Sequence, residues 1–193
     1  MMKSIIYGKL AFLISGILGG ILILYESNYL LAMVVTGAIG CALLSVFLKF
    51  TDKMLVMTMV GGAAMPLGLM LSFGIVEGSG AIFPWLAKLL DHTWIPDILA
   101  IVLLCFFFGI AIGTVIYGKK AVLRFAVITA LVGIPFGTLI AVLNLLFYGD
   151  GPYSDGLKYV GSFDINFLAM ALAIGVGLGL SIGVTNSKIE TKL

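Results

Sequence analysis

Apolar residues come in six long runs, and the charged residues gather in the segments between them. A helix needs about 20 mostly apolar residues to cross the hydrocarbon core of a bilayer. The runs Ile5–Tyr25, Tyr29–Leu48, Met54–Ile75, Ile98–Tyr117, Ala121–Tyr148 and Ile165–Thr185 all reach that length. None has a charge in its middle third. Lys9 and Arg124 stand near span ends, where a long cationic side chain can reach the headgroups. The pattern predicts an all-α, polytopic integral membrane protein. Residues 1–193 form one transmembrane domain of three helical hairpins, at about 5–48, 54–117 and 121–185. The first run follows Lys3 and has the look of a signal peptide, but no small-residue cleavage site follows it and a second apolar run begins just after Glu26. It is expected to stay as the first helix.

Composition supports this reading. The chain has 193 residues, 62% hydrophobic and 10% charged, with mean hydropathy +1.23. A soluble domain carries about a quarter of its residues as charges, so this surface must meet lipid. The net charge of +2 gives no reason to expect nucleic acid. One His and two Cys do not make a metal site or a redox pair, and Cys41 and Cys105 read as small packing residues inside apolar runs. No cofactor is expected.

The loops are asymmetric. Lys3, Lys9, Lys49, Lys53, Lys119, Lys120, Arg124, Lys188 and Lys192 fall on one side, and Lys88 and Lys158 on the other. Positively charged loops stay in the cytoplasm, which puts both termini there, in a bacterial-type cell membrane. The acids Glu26, Glu77, Asp91, Asp97, Asp150, Asp155 and Asp164 mirror this on the outer side.

The second and third hairpins resemble each other. Met65-Pro66-Leu67-Gly68 matches Ile134-Pro135-Phe136-Gly137, Asp97-Ile98 matches Asp164-Ile165, and Lys53 matches Lys120. Leu31-Ala32-Met33 adds a looser match from the first hairpin. A parallel repeat of a two-helix unit accounts for these, as does the general likeness of apolar helices.

Small residues recur four apart, about one helical turn: Gly16 and Gly20, Gly37 and Cys41 with Ser45, Gly109 and Gly113, Gly133 and Gly137, and Gly175, Gly179 and Gly183. Such stripes let backbones approach closely in lipid. They serve internal packing or the docking of a partner's helix. Pro66 and Pro135 interrupt the third and fifth spans, each followed two residues on by a glycine, Gly68 or Gly137. Paired broken helices line binding sites in transporters, but they also simply shape bundles. Asn144 is the costliest span residue to bury and needs an interhelical hydrogen bond or a ligand. The hydroxyls can bond to their own helices.

The outer segment Ile82–Trp94 contains Pro84, Trp85 and Trp94. It reads as a short interfacial helix, an anchor or a lid, with Trp85 and Trp94 at headgroup depth. The segment Gly149–Phe163 is rich in Gly and polar residues.

Two functions remain. No intramembrane Asp, Glu or His and no G-x-S-x-G or H-E-x-x-H motif speaks for an enzyme or a proton pump. The first reading is small-solute binding or transport, built on the paired prolines, the repeat and the outer segments. Six spans, cytoplasmic termini and this length resemble the substrate-binding subunits of energy-coupling-factor vitamin transporters. The resemblance is one of architecture and carries over no residue. It implies an unidentified small ligand and a separate ATPase partner, since the chain holds no ATP-binding motif. The second reading is a non-transporting accessory, regulatory or immunity protein acting through helix–helix contacts. For the topology, a reporter fused to the N-terminus should register cytoplasmic; an external signal would overturn the assigned orientation.

Overall fold

The computed structural model describes residues 2–26, 28–82, 94–119, 121–148 and 165–190, without the side chains of 26, 77, 80–82, 94, 144–148, 165 and 188–190. Among the described residues six α-helices follow in order: α1 (Met2–Glu26), α2 (Tyr29–Phe47), α3 (Met54–Ile82), α4 (Trp94–Tyr117), α5 (Val122–Tyr148) and α6 (Ile165–Glu190). Each contains a stretch long and apolar enough to cross a membrane. The chain is therefore a multi-pass α-helical membrane protein.

Several helices outrun their apolar spans. α3 continues past Ile75 to Ile82, α4 begins at Trp94 rather than Ile98, and α6 runs beyond Thr185 to Glu190. Hydropathy marks the edge of the bilayer, whereas a helix ends where its backbone bonding ends. Trp94 thus opens α4 instead of closing an interfacial helix. Trp85 and the segment that was expected to form that helix lie outside the described residues.

The described turns are tight and have local causes. Asn28 caps α2 by accepting a hydrogen bond from the Leu31 N–H at 3.0 Å. At the other end of α2, Lys49 takes a left-handed φ of 60°, and the Phe50 N–H reaches back to the Ser45 carbonyl at 2.8 Å. That six-to-one bond closes the helix. Gly118, at φ 67°, plays the same part after α4.

The helices form a closed ring. Each packs on its neighbours in the chain, and α6 returns to pack on α1. Contacts step in opposite senses along each pair. Gly175 of α6 lies against Gly8 and Phe12, while Gly179 lies against Ser4 and Ile5. Neighbouring helices are therefore antiparallel, and α1 begins at the end of the bundle where α6 finishes.

α6 sits deepest. It also touches α2 and α4, and 72% of its span is buried, against 33–44% for the others. The sequence explains this. Ala169, Ala171, Ala173, Gly175, Gly177, Gly179, Ser181 and Gly183 occupy every second position and are all buried. A step of two residues turns a helix by about 200°, so small side chains fall on nearly all sides. Leu168, Leu172, Val176, Leu180 and Val184, four apart, form the one partly exposed stripe.

The interior is filled by large side chains. Phe12, Leu44, Met57, Met65, Leu104, Phe108, Ile112, Phe125, Ile174, Leu178 and Ile182 are fully buried. Phe12 of α1 meets Phe108 of α4 edge-on at 5.9 Å, bridging helices on opposite sides of the ring.

One added methyl should read out this packing with opposite signs. A Cβ at Gly175 would lie 2.5 Å from the Gly8 carbonyl oxygen and 2.6 Å from the Phe12 Cβ, whereas one at Gly74 meets nothing within 4 Å. Gly175→Ala is expected to destabilise by about 1–3 kcal/mol. Gly74→Ala should gain up to about 1 kcal/mol from helix propensity. Unfolding by denaturing detergent measures both; equal effects would contradict the close approach of α1 and α6.

Candidate functional site

The paired prolines do not face each other. α4 lies between α3 and α5, and the two Pro-x-Gly elements dock on it with their glycines. A Cβ at Gly68 would meet the Leu104 Cδ1 at 3.0 Å, and one at Gly137 the Ile98 Cα at 2.9 Å. Both helices use the glycine for close approach to the same neighbour. Pro66 is buried at the edge of a groove between α2 and α3, whereas Pro135 is exposed on the outer face of α5. Gly68 brings α3 against the helix that follows it in the chain, and Gly137 brings α5 against the helix that precedes it. Positions that match in sequence therefore make unmatched contacts.

The groove beside Pro66 has a volume of about 430 Å³ and is shallow and open. Val34 and Ala38 of α2 and Met59, Gly62, Ala63 and Leu67 of α3 line it, with Thr58 as its polar side chain. The Thr58 hydroxyl is already committed, donating to the Met54 carbonyl at 2.8 Å. Pro66 has no N–H to offer the carbonyl one turn earlier, at Gly62. The groove opens on the lipid-facing surface, as the exposure of Val34, Met59 and Leu67 shows.

The glycine stripes lie inside the bundle. A Cβ at Gly61 would stand 2.5 Å from both the Gly37 carbonyl oxygen and the Cys41 Sγ, which closes α2 on α3. Gly109 and Gly113 take α5 against α4, with the Ala126 Cα at 3.0 Å and the Phe125 Cβ at 2.8 Å from the added atoms. Gly16 faces Ala171 of α6. Gly20 and Gly183 are buried in α1 and α6. Cys41 and Cys105 are both buried free thiols, on α2 and α4.

Most hydroxyls turn back on their own helices. Ser45 donates to the Cys41 carbonyl at 2.7 Å, Ser72 to Gly68 at 2.6 Å, Thr129 to Phe125 at 2.6 Å and Thr185 to Ser181 at 2.8 Å. This is the local satisfaction such residues find in apolar helices. A few polar contacts cross between helices. The Thr36 hydroxyl of α2 donates to the Ser15 carbonyl of α1 at 3.2 Å. Thr129 of α5 and Ser181 of α6 share a hydrogen bond of 3.2 Å. The Tyr117 hydroxyl of α4 donates to the Asn186 side-chain oxygen of α6, and its ring leans on Phe125 at 5.7 Å. Lys53, at the start of α3, donates to the Ile116 carbonyl in the last turn of α4 at 2.7 Å. A cation there also meets the negative end of the helix dipole.

Sequence reasoning missed the Tyr117–Asn186 pair and the Lys53 tie. The signal for the second was the position of Lys53 at a helix start beside another helix's end. Tyr117 and Asn186 show no such pattern, because their meeting depends on the packing of α4 on α6. Asn144 lies in α5, and its side chain is outside the described residues. No protein-family model matches the chain, and no curated protein or solved structure is significantly similar to it.

Pro135→Ala tests what the proline contributes within α5. The ring is exposed, and alanine supplies an N–H for the Leu131 carbonyl. Stability is expected to hold or rise by about 1 kcal/mol, a fraction of the roughly 3 kcal/mol proline costs in a helix interior. A lower unfolding midpoint would show that packing on α4 requires the proline.

Proposed function

We propose that this protein is a non-transporting membrane component, an accessory or regulatory subunit that works through contacts of its helices with a partner. The observation that supports this reading is the filled interior. Phe12 and Phe108 meet across the ring, fully buried aliphatic side chains fill the space around them, and the buried hydroxyls bond to their own helices or to a packed neighbour, as Ser72 does to Gly68 and Thr36 to Ser15. A solute path needs polar groups turned toward a shared space, and the prolines expected to frame one stand on either side of α4. An immunity protein fits the same description. Both termini are assigned to the cytoplasm of a cell membrane, on the charge asymmetry of the loops.

Small-solute binding is the second reading. The groove beside Pro66 favours it, as a space of about 430 Å³ next to a proline-interrupted turn. On this reading the chain would serve as the membrane substrate-binding subunit of a transporter driven by an ATPase partner.

Native mass spectrometry of the protein, gently extracted from its own membrane, separates the two. The accessory reading expects a stoichiometric protein partner without a small ligand. A retained small molecule without a partner would overturn it in favour of binding, and an ATPase partner together with a small molecule would unite both roles in one transporter.

A further inference from the structure

We draw no further inference here: the strongest candidate, the apolar groove between α2 and α3 beside Pro66, belongs to the site already described, and nothing in the structure shows what covers it.

Discussion

Helices already in lipid gain little from the hydrophobic effect when they meet, because hydrocarbon surrounds them in either state. Their association must come from close packing, and close packing requires that backbones come near. The contact between α1 and α6 expresses this constraint most directly. A methyl group at Gly175 would stand 2.5 Å from the Gly8 carbonyl oxygen. That approach closes the ring and draws α6 into the middle of the bundle, and it depends on two glycines having no side chains.

The rest of the bundle follows from the same economy. α2 and α3 meet at Gly37 and Gly61, and α4 and α5 meet along Gly109, Gly113, Gly133 and Gly137. Large side chains then fill the central space, with Phe12 against Phe108. Among the described residues, two of the cross-helix polar contacts, Lys53 to Ile116 and Tyr117 to Asn186, lie near helix ends. Apolar shape thus fills most of the middle, with Thr36–Ser15 and Thr129–Ser181 as buried cross-helix hydrogen bonds within it.

Much of this was legible in the chain, for identifiable reasons. Six spans could be read because a bilayer demands one length of apolar helix. The packing role of the glycines could be read because four residues make about one turn. Their partners could not, since Gly8 and Gly175 are far apart in sequence and only folding selects the pair. The depth of α6 was open to reading from its alternation of small residues, a period that looks strand-like on paper but distributes around a helix. The prolines misled as a pair. Their matched sequence context suggested a shared cavity, whereas each following glycine turns to α4, with Pro66 buried beside the α2–α3 groove and Pro135 exposed on α5. Helix ends past Ile75 and before Ile98 were missed because hydropathy falls at the membrane edge while backbone bonding continues.

The central claim is that the middle of this bundle is packed and dry. Cys41 and Cys105 report on it directly, being native thiols fully buried on α2 and α4. Native membranes can be treated on both faces with a small, charged, water-soluble thiol reagent, followed by mass spectrometry of the protein. Neither cysteine is expected to be modified until denaturing detergent is added, when both react. Labelling of either one in the folded protein would show water reaching the interior and would contradict the packed bundle.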